Sequence, residues 1–235
     1  GTELSTFRFV NSGTIRNGGV NASLAFLPDT ADTIATIANS GTISSAVENR
    51  AALRIDQFNV AAAKLTLNNS GILEASGLGG AGLELNAQPT SSIALDLVNS
   101  GTIRANGGGQ TFFGNRPSPL NGLAIGMLIN GGHSYASTFT NTATGVIEAS
   151  GAQSVALATF QHGLTLRNDG SITGAADNAP RAADAVVPLA TAIQTFGDFA
   201  DTIINTGRIT GSINLAEGAD TIVNTGLIDG NVFLG

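Results

Sequence analysis

The sequence predicts an all-β chain, a three-sided β-solenoid of about eight coils forming one elongated domain, and three observations predict it. An N-[ST]-G-x-I unit recurs from end to end, large apolar residues hold fixed positions on either side of it, and helical periodicity is missing along the 235 residues. A unit of this size cannot bury its own apolar face, so each copy is read as one layer that needs neighbours above and below.

The copies begin at Asn11, Asn39, Asn69, Asn99, Asn141, Asn168, Asn205 and Asn224. They read NSGTI, NSGTI, NSGIL, NSGTI, NTATGVI, NDGSI, NTGRI and NTGLI. The first strand of each coil ends at the asparagine. Two places before it stand Phe9, Ile37, Leu67, Leu97, Phe139, Leu166, Ile203 and Ile222, all large and apolar. Immediately before it stand Val10, Ala38, Asn68, Val98, Thr140, Arg167, Ile204 and Val223, which share no chemistry. Side chains alternate across a strand, so the uniform position faces a core and the mixed one does not.

The corner comes next. Glycine accepts positive φ without cost and asparagine tolerates it better than most residues, which suits a sharp bend between strands. Asparagines at equivalent corners can also pass side-chain amide hydrogen bonds from coil to coil as a ladder. The second strand follows the glycine and returns to the core at Ile15, Ile43, Leu73, Ile103, Ile147, Ile172, Ile209 and Ile228. The fifth copy reaches Ile147 only with two extra residues, Ala143 and Thr144, which predicts a local bulge.

A third run follows: Leu24-Ala25-Phe26, Leu53-Arg54-Ile55, Leu83-Glu84-Leu85 and Leu157-Ala158-Thr159-Phe160. Glycine, asparagine, serine and aspartate turns join these runs. Two alanine-rich stretches, Ala51 to Lys64 and Ala182 to Ala192, are the places where a helix competes, against their alternation and Pro188. The asparagines are spaced by 28, 30, 30, 42, 27, 37 and 19 residues. Three short strands plus turns fill about 20 to 30 residues, so one interval is one coil, and eight coils stack to roughly 40 Å. The longer intervals carry loop insertions near 106–119 and 174–188.

Register carries a claim about charge. Glu74, Arg104 and Glu148 each follow the inward residue of successive coils and should stack outward with alternating sign. Arg54 and Glu84 should pair likewise on another face, each facing pair contributing about 0.2–1 kcal/mol.

Composition narrows the function classes. With 42% apolar residues, 31 glycines and 11% charged residues, the chain is not a charged disordered tail. Seventeen acidic residues against ten basic ones, Lys64 being the one lysine, give a net charge of -7 and argue against a nucleic-acid partner. No stretch approaches the roughly 20 apolar residues of a membrane-crossing helix, so this segment is not expected to insert in a bilayer. Cysteine is absent, which excludes disulfides and thiolate chemistry.

The tandem units, and above all the closing DTIINTGRITGSINLAEGADTIVNTGLIDGNVFLG, resemble passenger domains of Gram-negative autotransporters, the type V secreted proteins. The resemblance spans essentially the whole chain. It implies a right-handed parallel β-helix at the extracellular bacterial surface, anchored through or released from a C-terminal β-barrel translocator that would lie elsewhere in a longer chain. It also implies partners such as a host-surface or matrix receptor, a glycan, or another copy of the passenger.

Chemistry on such a scaffold is expected on loops. In the insertion at 106–119, Phe112, Phe113 and Arg116 are candidates to grip a sugar ring or partner protein; the competing reading is a loop whose phenylalanines cover apolar surface. In the insertion at 174–188, Arg181 is the candidate, beside Asp177 and Asp184, with a solvated loop as the alternative. His133, Tyr135 and His162 form a possible metal or acid–base cluster, yet no carboxylate stands at ligand spacing. Asp201 and Asp220 occupy equivalent DTI positions one coil apart and are the candidate cation ligands, with turn capping the competing role.

No catalytic residue, cofactor or resident metal is assigned. The expected function is a rigid, non-catalytic stalk with an adhesive or self-associating surface. A polysaccharide lyase or hydrolase fragment is the alternative, though the outward acids are scattered and often matched with arginines. A filament or surface-layer subunit is the third reading, since open end coils expose strand edges.

Overall fold

The computed structural model describes residues 6–19, 24–26, 34–57, 63–87, 93–108, 123–131, 137–151, 154–174 and 190–235. Every regular element among them is a β-strand. The strands assemble into three parallel eight-stranded sheets, one strand of each sheet per coil, which is a three-sided parallel β-helix of eight coils.

The first sheet contains the strands that end at the repeated asparagines, from Thr6–Asn11 and Ile34–Asn39 through Ala63–Asn69, Ile93–Asn99, Thr138–Asn141, Thr165–Asn168 and Thr202–Asn205 to Thr221–Asn224. The second contains the strands after the corner: Thr14–Asn17, Thr42–Ser45, Ile72–Ala75, Thr102–Gly108, Val146–Gly151, Ser171–Gly174, Arg208–Thr210 and Leu227–Asp229. The third is Leu24–Phe26, Ala51–Gln57, Ala81–Ala87, Ala124–Asn130, Ser154–Phe160, Thr191–Phe196, Ser212–Leu215 and Val232–Leu234. Where they are described, both alanine-rich segments form strand, at Ala51–Gln57, Ala63–Asn69 and Thr191–Phe196, apart from a turn at Ala190. Alternation and lateral pairing override alanine's helical preference there.

Register locks repeat onto repeat. Phe9 pairs with Ile37, Ile37 with Leu67, Leu67 with Leu97, and Leu97 with Phe139. The asparagines pair in the same columns. Inside the stack the two inward positions are sealed: Ile37, Leu67, Leu97, Phe139, Leu166 and Ile203 on the first sheet and Ile43, Leu73, Ile103, Ile147, Ile172 and Ile209 on the second are at most 1% exposed. Each contributes about 1.5–3 kcal/mol by leaving water. Phe9, Ile15, Ile222 and Ile228, in the first and last of these coils, are partly buried, each having a described coil on one side.

The fifth copy absorbs its extra residues in a turn and keeps its strands in register. The Gly145 amide donates to the Thr142 carbonyl at 2.8 Å, and the Thr144 hydroxyl ties the turn to the Ser100 carbonyl at 2.8 Å. Val146 then pairs with Thr102 as the ladder requires. A bulge would have shifted the following inward residue, whereas a closed turn preserves it. Register does shift elsewhere, between Asn106 and Gly108 and between Thr191 and Ile193.

The third sheet differs from the other two because in its middle strands successive residues on both faces are buried, while Val232, Phe233 and Leu234 of its last strand are exposed. Leu123, Ile125, Leu128, Val155 and Ala158 form a second apolar cluster separate from the main core, with Phe160 and Phe196 packed against it. The rings of these two phenylalanines lie 5.9 Å apart.

Candidate functional site

Five features bear on function: the asparagine corner, a polar cluster on the third sheet, a groove at the corner between second and third sheets, an aspartate pair, and the loop insertions.

At the corner each asparagine side chain donates from Nδ2 to Oδ1 of the asparagine in the next coil. The bonds run Asn11 to Asn39, Asn39 to Asn69, Asn69 to Asn99, Asn99 to Asn141 and Asn141 to Asn168, each 2.8 Å. Asn168 to Asn205 and Asn205 to Asn224 follow at 2.7 Å. The same Nδ2 atoms also reach carbonyls within and beyond their own corner, as Asn99 does to Gly101 and Val146, both at 3.2 Å. Asn39 through Asn205 are at most 1% exposed. The ladder satisfies polar groups that burial would otherwise penalise, which gives it a structural role.

The corner glycines serve close approach and not positive φ, which none of them adopts. A Cβ at Gly41 would stand 2.0 Å from the Gly13 carbonyl oxygen, and one at Gly101 2.1 Å from that of Gly71. Gly170, Gly207 and Gly226 meet the preceding corner's oxygen at 2.2–2.3 Å in the same way. Stacked coils leave no room for a side chain here. The expectation of a left-handed bend is therefore corrected to a packing constraint.

Charge stacking on the second sheet follows the expected register. Arg104 Nε lies 2.9 Å from Glu74 and its guanidinium 3.9 Å from Glu148. On the third sheet Arg54 does reach Glu84, at 3.9 Å, but its close partner is Asp56 at 2.7 Å. Asn86 joins the cluster, donating to Asp56 at 2.8 Å and Glu84 at 2.9 Å, and Asn130 donates to Asn86 at 3.2 Å. Glu84 and Asp56 are 5% and 7% exposed, so the energetics of an exposed pair do not apply to them. Desolvation opposes the charge on Arg54, yet its bond to Asp56 and the field of Glu84 outweigh it and raise its pKa. Asp56, Asn86 and Asn130 were not singled out from sequence. Their spacing, one third-sheet position per coil, was the available signal.

The groove lies where the second sheet meets the third in the sixth to eighth coils. Thr173, Gly174, Ala190, Thr210, Gly211, Ser212, Asp229, Gly230 and Asn231 line about 280 Å³ of open space. A glycine column hollows it: a Cβ at Gly174 would stand 2.0 Å from the Thr191 carbonyl oxygen, and one at Gly230 2.3 Å from that of Gly211. Hydroxyls, an amide and one carboxylate can hydrogen-bond a polyhydroxylated ligand. Asp229 is the one acidic residue among these lining residues and is held by Arg208 at 3.1 Å. That donor set is unlike the two carboxylates an inverting glycosidase uses.

Asp201 and Asp220 cap turns. Asp201 Oδ1 accepts the Leu164 amide at 2.7 Å, and Asp220 Oδ1 accepts the Asp201 amide at 2.9 Å, so each carboxylate ties its coil to the one before. Burial pushes the Asp201 carboxyl above its usual range, with Asp220 adding to the shift and the bonds from Leu164 and Thr195 opposing it. Asp220 Oδ2 is buried with no hydrogen-bond partner among the described residues. No group of three or more His, Cys, Asp or Glu able to hold a metal occurs among them.

Phe112, Phe113, Arg116 and Arg181 lie outside the described residues, as do Asp177, Asp184, His133 and Tyr135. His162 is buried and packs edge-on to Phe139 with ring centroids 6.5 Å apart. Comparison with protein-family profiles, curated proteins and solved structures finds no match.

Proposed function

We propose that this chain is a rigid, non-catalytic stalk segment of a surface-exposed autotransporter passenger. The supporting observation is the asparagine ladder, which passes through all eight coils beside a continuous aliphatic core. Every coil is tied to its neighbours by three strand pairings and one side-chain bond, so bending the rod at any level breaks several interactions together. Stiffness and reach are what a stalk needs, and repeat number sets the reach. The closing residues Asp201 to Gly235, where the resemblance to such passengers is closest, add to this reading. Folding would spread coil by coil from one end, which suits a chain exported unfolded through a C-terminal barrel.

The experiment is to display the chain on a Gram-negative cell ahead of a translocator barrel, with a tag at its N-terminus. A passenger stalk leaves the tag accessible to extracellular protease and antibody on intact cells, and trimming the repeats shortens its distance from the membrane. A tag that stays inside, or a distance independent of repeat number, contradicts the proposal. Incubation with a panel of neutral and anionic polysaccharides should give no new unsaturated or reducing ends. Turnover there would favour the carbohydrate-active alternative.

A further inference from the structure

We propose that the outer face of the first sheet binds ice, through a column of threonines that runs along the stack and fixes water at one repeat distance. The face lies along the side of the stack and depends neither on its ends nor on the stalk reading.

Register is the first observation. The third residue before the repeated asparagine is Thr36, Thr66, Thr138, Thr165, Thr202 and Thr221 in six of the eight coils, with Arg8 and Asp96 in the other two. Strand pairing sets Thr36 beside Thr66, Thr66 and Thr138 on either side of Asp96, Thr165 beside Thr202, and Thr202 beside Thr221. Thr138 and Thr165 are neighbours too, because the residues after them, Phe139 and Leu166, pair. Successive members are therefore roughly 4.8 Å apart. Among the described strand pairs the first sheet carries no shift of register, while the second and third sheets do.

Residue choice is the second. These threonines alternate with the sealed residues Ile37, Leu67, Phe139, Leu166 and Ile203, so they point away from the core and are exposed or half-buried. The position immediately before the asparagine points the same way, and its occupants are Val10, Ala38, Asn68, Val98, Thr140, Arg167, Ile204 and Val223. Strand preference acts on both positions, yet only one is filled column-wise with threonine.

Hydrogen bonding is the third. A threonine ladder that served the sheet would bond hydroxyl to hydroxyl across coils. Here the Thr138 hydroxyl donates to Asp96 at 2.7 Å, and those of Thr36, Thr66, Thr165, Thr202 and Thr221 have no hydrogen-bond partner among the described residues. They are left to solvent. β-Branching confines each side chain to few rotamers, so hydroxyl and methyl stand at fixed places. A row so fixed orders the waters over it at the coil repeat, which is close to an oxygen repeat of hexagonal ice, and the interface is organised before the crystal arrives. Each contact is weak, and the column sums them. A sugar fits less well, since no outward residue in the described part of these strands is aromatic and a pyranose has no ring to stack on.

Slow growth of an ice hemisphere from a solution of the 235-residue chain and a co-dissolved globular protein of similar size tests this. The wild type should be several-fold enriched in the ice over the control protein. Thr202→Lys, which raises a hydrated charge in the column, should bring it down to the control level with the melting temperature unchanged, while Thr42→Lys on the second sheet should leave the enrichment as it is. Asp96→Thr, which joins Thr66 to Thr138, should increase it. Should Thr202→Lys fold poorly, Thr165→Lys supplies the same test. A wild type excluded from ice like the control protein overturns the proposal, even if it is retained on crystalline cellulose or chitin. So does Thr202→Lys entering ice as the wild type does, or Asp96→Thr entering it no more than the wild type.

Discussion

The corner between the first and second sheets and the outer face of the third sheet solve the same problem, polar groups lying near a core, in opposite ways. At the corner one residue type is repeated in every coil, and each Nδ2 from Asn11 to Asn205 finds its partner one layer on at 2.7–2.8 Å. On the third sheet polar groups are assembled locally, as from Arg54, Asp56, Glu84, Asn86 and Asn130, near an equally local cluster of Leu123, Ile125, Leu128, Val155 and Ala158. Repetition serves stacking, while departure from repetition marks a surface with individual content.

The comparison can be broken most sharply at the ladder. Asn99→Ala removes the acceptor for Asn69 and the donor to Asn141 in a fully buried column. The Asn141 oxygen is orphaned while Asn69 keeps its longer bonds to the Gly71 and Thr102 carbonyls, both at 3.3 Å, so destabilisation of about 2–3 kcal/mol is expected in denaturant titration. Asn224→Ala removes the exposed last rung, and its effect should stay under about 1 kcal/mol. Equal effects at the two positions would dissolve the distinction between interior and end.

Comparable in size is the contrast between two arginines. Arg54→Ala strands Asp56 and Glu84, whose side chains are 9% and 7% exposed, and should cost about 3 kcal/mol. Arg104→Ala strands Glu74 and Glu148, 25% and 38% exposed, and should cost under about 1 kcal/mol. Added salt should erode the second effect and leave the first, since exposed pairs are screened and buried ones are not. Urea midpoints at low and high ionic strength give both comparisons.

The smallest expected effect is on pH dependence. The Asp201 pKa is raised in the fold by burial, so the native state holds its proton more tightly than the unfolded chain. This group's contribution to stability is therefore greatest in acid and falls as pH rises from the unfolded value of 3.8 through the folded one. Asp169 opposes it: bonds from Thr206 and Arg167 lower its pKa, so its contribution is present above 3.8 and is lost as pH falls through the folded value. Asp201→Asn keeps an acceptor for the Leu164 amide and should remove the downward component of the stability–pH curve. A curve unchanged in shape would show that Asp201 does not titrate differently in the two states.

What sequence made legible follows from what repeats. The inward columns from Ile37 to Ile203 and from Ile43 to Ile209 could be read because alternation and the corner unit impose the same residue class every coil. Glycine at the corner was visible too, but its cause was not: Gly41 and Gly101 resist a Cβ because of the carbonyl one coil below, a contact that no local turn preference encodes. The doubly buried third sheet was partly visible in AIGMLIN and SVALATF, near-continuous apolar runs of the kind parallel strands show when covered on both faces. Arg54 and Glu84 were legible as a pair but not as a buried one, because burial of that face depends on what covers it. The loop candidates Phe112, Phe113, Arg116 and Arg181 break the repeat, so periodicity carries no information about their surroundings.

Hydrogen exchange at the eight corner asparagine side-chain amides, followed by NMR, tests most directly the claim that these corners form one buried, directional ladder. The prediction is slow exchange at Asn39, Asn69, Asn99, Asn141 and Asn168, whose neighbours on both sides are in place, and exchange near the solvent rate at Asn224. Uniform exchange at the solvent rate across all the asparagines would contradict it.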